Sequence, residues 1–294
     1  MFREYNPNPL FGSDYYDLRS FLLKLDDPNY PFGRWDWMIT HGYLEKEGLG
    51  KIGLWEENGT IVAIATYDTI LGKAFLLTLP AYRDLKEDML LYAKDHLCET
   101  NGDFKVLIRD GDVHMQDIAA RHAFYPTQDK ELESYLPIDQ SDLSYQLPEG
   151  FSITSLKDNY DLFRYGQVLW KGFNHELNGE GPFPAENHRN GPEGFERPNV
   201  NLDLKIAVVA ANGDFVSYCG MWFDESSPYA LVEPVATDPA YRKMGLGRAA
   251  VLEAVRRCGE LGAKWAFVGS SQQFYYNIGF RPYSSSTYWS RKTS

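Results

Sequence analysis

In a chain of 294 residues, Glu233, Tyr275 and the run Val235-Ala-Thr-Asp-Pro-Ala-Tyr-Arg-Lys-Met-Gly-Leu-Gly-Arg248 have the residue types for proton transfer and for holding a phosphorylated group. The first N–H groups of a helix have no intrahelical partner and carry the positive end of the helix dipole, so a diphosphate can fill that vacancy. Gly245 and Gly247 remove side chains where a ligand must approach the backbone, Arg242, Lys243 and Arg248 add charge, and Met244 and Leu246 complete the turn. Apolar residues at helical spacing follow at once in Ala249-Ala-Val-Leu-Glu-Ala-Val-Arg-Arg-Cys258. Glu233 stands two residues before Val235 on the same face of a strand; its carboxylate either takes a proton from an ammonium group of pKa about 10 or simply binds that charge. Tyr275 is either a phenol that donates a proton to a departing anion or a packing residue, and Tyr276 is its neighbouring alternative, about 100° away on a helix.

Those groups need a strand that stops pairing, a basic turn and a helix behind it. Pro234 cannot donate to a sheet ladder, so in Ala230-Leu-Val-Glu-Pro-Val-Ala236 it marks a bulge or the end of pairing. No nucleotide P-loop run is present. Gly245-Leu-Gly247-Arg-Ala-Ala250 fits the loose dinucleotide pattern, but about nine residues separate it from its strand, where that fold turns almost immediately.

Arg242-Lys-Met-Gly-Leu-Gly247 resembles, at every fixed position, the Arg/Gln-x-x-Gly-x-Gly/Ala cofactor motif of the GNAT superfamily of acyl-CoA-dependent N-acyltransferases. Leu231-Val-Glu-Pro-Val-Ala-Thr-Asp-Pro239 looks like that family's central strand, and Phe274-Tyr-Tyr-Asn-Ile-Gly-Phe280 resembles its Phe-Tyr-x-x-x-Gly-Phe signature; the resemblance is assigned to about 150 residues at the C-terminal end. The resemblance implies acetyl-CoA as acyl donor, no metal, and N–H groups near Val235, Ala236 and Thr237 that hold the pantetheine arm and the thioester oxygen. It makes Tyr275 the acid for the CoA thiolate. Many members carry an asparagine about seven residues before that tyrosine; Val268 stands there, with Gly269-Ser-Ser-Gln-Gln273 as the nearby source of polar groups.

The chain also repeats itself. Pro239-Ala-Tyr-Arg242 echoes Pro80-Ala-Tyr-Arg83, Ala211-Asn-Gly-Asp-Phe-Val216 echoes Glu57-Asn-Gly-Thr-Ile-Val62, and Ile278-Gly-Phe280 echoes His122-Ala-Phe124, at a period of roughly 155 residues. With the first pair aligned, Lys86 and Asp88 stand opposite Gly245 and Gly247, Asp84 opposite Lys243 and Ala74 opposite Glu233, and the Gly-Phe pair puts Ala119 opposite Tyr275. A diphosphate would be repelled from such a helix start. Residues 1–147 carry 14 Lys+Arg and 25 Asp+Glu, net −11, and the remainder 15 and 16, net −1. The acidity therefore lies in the copy without the motif, and nucleic-acid binding is unexpected for either. It either confers solubility or attracts a cationic acceptor.

Cys98, Cys219 and Cys258 show no pair spacing, which argues against a disulfide framework and for a reducing compartment. His175 and His188 have no metal-ligand spacing. Without a leader segment or an apolar run of membrane length, a cytoplasmic protein is expected. The acceptor region is expected between Trp170 and Asp203, where Trp170, Phe173, Phe183 and Phe195 mix with Glu176, Glu180, Glu186, Glu193 and Glu196. These side chains suit an amine.

The expected fold is α+β, an α/β mixed sheet occurring twice in tandem, each copy a mostly antiparallel central sheet flanked by helices. A degenerate copy is expected over 1–140 and an acyl-CoA-binding copy over 141–294, the seam lying in the polar stretch 137–148. The two-copy arrangement with an active second copy is similar to that of mycothiol synthase, a likeness of architecture and not of substrate. The expected activity is transfer of an acetyl group to a primary amine of a small molecule by direct attack in a ternary complex; the alternative is an acyl-CoA sensor or partner-binding protein without turnover.

Overall fold

A computed structural model describes residues 1–39, 41–184 and 195–291. Chain contacts divide it into two compact units: residues 1–133 with 282–294, and residues 134–281. The seam expected at residue 140 thus lies a little beyond the first break, and the chain's final strand stands with the first unit.

The first unit contains β1 (Phe2–Glu4), α1 (Ser13–Leu25), α2 (Phe32–Met38), β2 (Gly53–Glu57), β3 (Thr60–Tyr67), β4 (Lys73–Thr78), α3 (Lys86–His96), β5 (Lys105–Arg109), α4 (Val113–Arg121) and the start of β6 (Phe124–Pro137). The second contains the end of β6, then β7 (Ser152–Ser155), α5 (Leu162–Gly172), β8 (Lys205–Val209), β9 (Phe215–Trp222), β10 (Tyr229–Thr237), α6 (Leu246–Glu260), β11 (Trp265–Val268) and α7 (Gln273–Asn277). β12 (Arg281–Arg291) leaves it to complete the first.

In the first unit the strand order is β1-β2-β3-β4-β5-β12-β6. Asn58 and Gly59 at φ 51° and 77° make the two-residue turn that sets the β2–β3 hairpin. β1–β2, β2–β3, β3–β4 and β5–β12 pair antiparallel, whereas β4 and β5 run parallel and join at Lys73↔Lys105 and Ala74↔Val106. In the second unit residues 134–137 pair with β11, followed by β10, β9, β8 and β7, and only β10 with β11 runs parallel. The mixed, mostly antiparallel sheet read from the sequence is present in both.

β9 is buried along its whole length because helices cover both its faces. α6 lays Leu246, Ala250, Val251, Ala254, Val255 and Cys258 on one, against Ile206, Cys219, Met221 and Val232. α5, capped by Asp161 accepting from the Arg164 N–H, sets Val168 on the other with Phe195, Phe215 and Tyr218. Cys258 is therefore core, as its helical position suggested.

Within α6 the buried Glu253 accepts from Arg256 at 2.8 and 2.9 Å, from Arg257 at 2.8 Å and from the Tyr145 hydroxyl at 3.0 Å. Burial alone would raise its carboxyl, but these bonds outweigh it and hold the group at about 2, against an ordinary 4.5. A depressed carboxylate contributes stability that is full above the ordinary value and is lost as pH falls through the folded one, here on the order of 3 kcal/mol. Denaturant melts between pH 5 and 2 should therefore fall less steeply for Glu253→Gln than for the parent; equal slopes would refute the assignment.

Candidate active site

β10 is where the second sheet opens. It pairs with β11 only from Tyr229 to Leu231, and its register with β9 slips between Val232 and Val235. The proline that the sequence marks as a bulge sits in that slip, after a cis Glu233–Pro234 bond. The Trp222 indole N–H donates to the Glu233 carbonyl at 3.0 Å, and a Cβ on Gly220 would lie 2.6 Å from the same oxygen, so glycine is required across from the bulge. Lys205, 1% exposed, backs the indole at 3.6 Å and donates to the Met221 carbonyl at 2.7 Å. Gly220→Ala should displace the bulge; an unchanged stability and an unchanged KM for the acyl donor would show that the approach is not needed.

Beyond the bulge the ladder fixes which N–H groups are offered. The Asp238 N–H donates to the Val216 carbonyl at 3.0 Å, so by antiparallel alternation Ala236 turns its polar groups to β9, while Val235 and Thr237 turn theirs toward the widening gap. Of the three N–H groups singled out in the sequence, two face the gap and the third is taken up in the sheet.

The basic loop follows. Asp238 caps the short turn Pro239–Tyr241 through the Ala240 N–H at 2.9 Å, and Lys243 and Gly245, at φ 64° and 82°, then wrap the chain so that α6 starts at Leu246 with no side-chain cap. The first helical bond back is Ala249 N–H to the Gly245 carbonyl, 3.0 Å. That leaves the N–H groups of Leu246, Gly247 and Arg248 as the orphan donors of the helix start. A Cβ on Gly247 would stand 3.0 Å from the Thr237 hydroxyl, which itself lies 2.8 Å from the Ser217 hydroxyl, so the turn is packed onto the end of β10. Met244 is exposed, and Arg248 reaches the Ser144 carbonyl at 3.3 Å.

Arg242 differs in detail from a simple source of charge. Its guanidinium bonds the Thr237 carbonyl at 3.2 Å, the Gly172 carbonyl at 2.8 Å and Asn174 Oδ1 at 2.8 Å, so it ties the end of β10 to the end of α5. Its Nε and Nη2 are committed to the protein while its charge remains beside the helix start.

Tyr275 lies on α7 and is 7% exposed, with its ring edge-on to Phe274 at 5.0 Å and Phe280 at 5.4 Å. Burial, then the neighbouring Cys219 thiol and Glu233 carboxylate, push its phenol well above 10. Glu233, half-buried, is thus close enough to raise the Tyr275 phenol, and it also raises Tyr165, whose phenol burial moves to about 12 against the opposing charge of Arg197. Cys219 and Cys258 are fully buried, and burial lifts the Cys258 thiol to about 12, so neither is poised as a nucleophile.

Sequence reasoning did not find Trp222, Gly220, Tyr165 or Tyr218. Tyr165 of α5 and Tyr218 of β9 meet edge-on at 4.9 Å and, with Phe195, form an aromatic cluster between helix and sheet. The one available signal was Gly220, a lone glycine inside a strand pattern. In the expected acceptor region Trp170 stacks on His175 at 4.2 Å and donates to the Gly181 carbonyl at 3.0 Å, and His175 Nδ1 lies 2.9 Å from Glu180. Glu186, His188 and Glu193 lie outside the described residues. Among the described residues no group of three or more His, Cys, Asp or Glu could hold a metal, and no helix is long and apolar enough to cross a membrane.

The matching turn of the first unit is built differently. Pro80–Leu85 is a 3₁₀ turn that runs straight into α3, the Lys86 N–H already bonding the Arg83 carbonyl, and no left-handed residue interrupts it. Lys86 pairs there with Asp112, and Glu87 and Asp88 fill the first helical turn.

Residues 170–280 match the sequence model of the Acetyltransferase (GNAT) family. A search of curated proteins finds no match. Among solved structures, a GCN5-related N-acetyltransferase from Sphaerobacter thermophilus aligns over 99% of this chain and 95% of its own, with TM-score 0.58 and 15% identity. A tandem GNAT protein from the clavulanic acid biosynthesis pathway aligns over 100% of this chain and 99% of its own, with TM-score 0.59 and 13% identity. At such identities the likeness is one of fold, and that fold is two GNAT-like domains in tandem.

Proposed function

For a chain that carries a GNAT acetyltransferase domain over residues 170–280, we propose transfer of an acetyl group from acetyl-CoA to a primary amine of a small molecule, by direct attack in a ternary complex in the second unit. The observation that carries this reading is the junction of β10 and α6: an opened strand edge at Val235 and Thr237 leads into a basic turn with two left-handed residues and an uncapped helix start. The edge suits the amides of an extended pantetheine arm, with Ala236 between them as spacer, and the residues Arg242 to Arg248 suit its diphosphate.

The Val235 N–H supplies the hydrogen bond that strengthens as the thioester oxygen gains charge. Glu233 takes a proton from the incoming ammonium, directly or through one water, and Tyr275 returns one to the thiolate. The neutral amine forms the new C–N bond as the C–S bond breaks, and the second proton that its nitrogen sheds restores, directly or through solvent, the one Tyr275 gave to the thiolate, so the products are an amide and CoA thiol. The alternative of a sensor without turnover is disfavoured by the presence of both Glu233 and Tyr275, a candidate base and a candidate acid.

Thiol release from acetyl-CoA with a panel of amines tests the reaction; no release above background with any amine, despite tight acetyl-CoA binding, would favour the sensor. Glu233→Gln should lower kcat/KM near pH 7 by about 100-fold, with the deficit narrowing toward pH 10 as free amine accumulates. A deficit independent of pH would make Glu233 a binding residue and not the base.

A further inference from the structure

The first unit has lost the helix-start cradle but keeps the opened strand. β4 and β5 stop pairing after Ala74↔Val106, and beyond that point they enclose a cavity of about 430 Å³ lined by Phe75 to Thr78, Leu107 to Arg109 and Met115. That volume is in the range of small-ligand sites. Its walls carry backbone groups without strand partners. The Leu79 N–H donates to the Val62 carbonyl, so Leu77 and Phe75 bond toward β3, whereas Leu76 and Thr78 turn toward β5, with which the ladder has already ended. On the facing side the Asp110 N–H donates to the Ser285 carbonyl, so Ile108 bonds toward β12 and Leu107 and Arg109 turn toward β4. The Arg109 carbonyl is taken by the Asp112 N–H at 2.9 Å, which leaves the Leu107 carbonyl and the Arg109 N–H facing the gap.

The two walls together have the donor and acceptor pattern of a sheet from which one strand is missing. The alignment of the two Pro-Ala-Tyr-Arg runs places Leu76 and Thr78 opposite Val235 and Thr237, so the opened edge occurs in both units and the glycine turn only in the second. Charge at the rim favours a ligand with both signs over an anion. Lys86 is paired with Asp112, and Arg109 grips both oxygens of Asp27 at 2.6 and 2.7 Å, so each cation is already balanced by a carboxylate at the cavity.

We infer that this cavity of the first unit is a binding site for a short extended peptide, held as an added strand between Leu76 and Thr78 on one side and Leu107 and Arg109 on the other. An extended peptide offers N–H and C=O groups to both sides alternately, as both walls require, and, with a charge of each sign at its ends, it suits a rim whose cations and carboxylates are already balanced. The site is independent of the acyl-transfer reading of the second unit.

The test is a titration of the full chain, labelled with ¹⁵N and deuterium, with tri-alanine and separately with pantetheine, following backbone amide shifts. Tri-alanine is expected to move the Leu76, Thr78 and Arg109 amides saturably in the millimolar range. Thr78→Ala should leave these shifts in place because the contact is through the backbone, and Leu107→Trp, which fills the cavity, should abolish them while amides of the second unit stay unmoved. No movement at Leu76 and Thr78 with tri-alanine, or movement there with pantetheine alone, overturns the inference.

Discussion

Tyr275→Phe is expected to lower kcat for acetyl transfer by about 10²- to 10⁴-fold, with the dissociation constant for acetyl-CoA unchanged. The substitution removes one oxygen and little else, because the ring is held between Phe274 and Phe280 in a site where it is 7% exposed. Burial, followed by Cys219 and Glu233, raises the phenol above its ordinary value, so the proton is still in place at every pH the assay uses. The group is therefore available as an acid and not as a base, and the parent enzyme should show no loss of rate from Tyr275 ionisation up to about pH 10. Steady-state thiol release and calorimetry on the same preparations separate kcat from binding. An unchanged kcat in the phenylalanine variant would reduce Tyr275 to a packing residue.

Gly247→Asp should weaken acetyl-CoA binding by at least about 100-fold, which is roughly 2.7 kcal/mol. A carboxylate in the first turn would meet the diphosphate where three orphan N–H groups and the helix dipole otherwise favour it. The Cβ adds a steric part, 3.0 Å from the Thr237 hydroxyl, which must turn aside. Gly247→Ala isolates that part and should cost only a few-fold, since alanine is favourable in a helix. Calorimetric titration should give one site per chain in the parent and none in the aspartate variant. Two sites per chain would mean that the first unit also takes acetyl-CoA, despite its 3₁₀ turn and acidic helix start, and an aspartate variant that binds like the parent would remove the cradle from the mechanism.

Much of this site can be read in the letters because its parts are local. Lys243 and Gly245 stand two positions apart in the turn whose left-handed residues they supply, and Pro234 marks its bulge by lacking an N–H. The repeat is visible because both copies keep the Pro-Ala-Tyr-Arg turn between an opened strand and a helix. What escaped depends on pairing across the sheet. That Ala236 turns away from the gap follows from one ladder bond of Asp238, and Trp222 meets the Glu233 carbonyl only because the β9–β10 register slips there. The tie that Arg242 makes to Gly172 and Asn174 escaped as well, because both partners lie far upstream and nothing near position 242 names them.

The path of β12 was equally hidden, since its serine-rich pattern fits an edge of either unit, and it has a bearing on the order of events during synthesis. The first unit's sheet has a place between β5 and β6 that only residues 281–291 fill. Those residues are translated after the whole of the second unit, so at roughly 5–20 residues per second the nascent first unit waits on the order of ten seconds or more with two strand edges unsatisfied. Such edges are templates for pairing with other chains. The half of the molecule made first is therefore the half finished last, and its dependence on holdase chaperones should be set by the speed of the ribosome over the second half of the message.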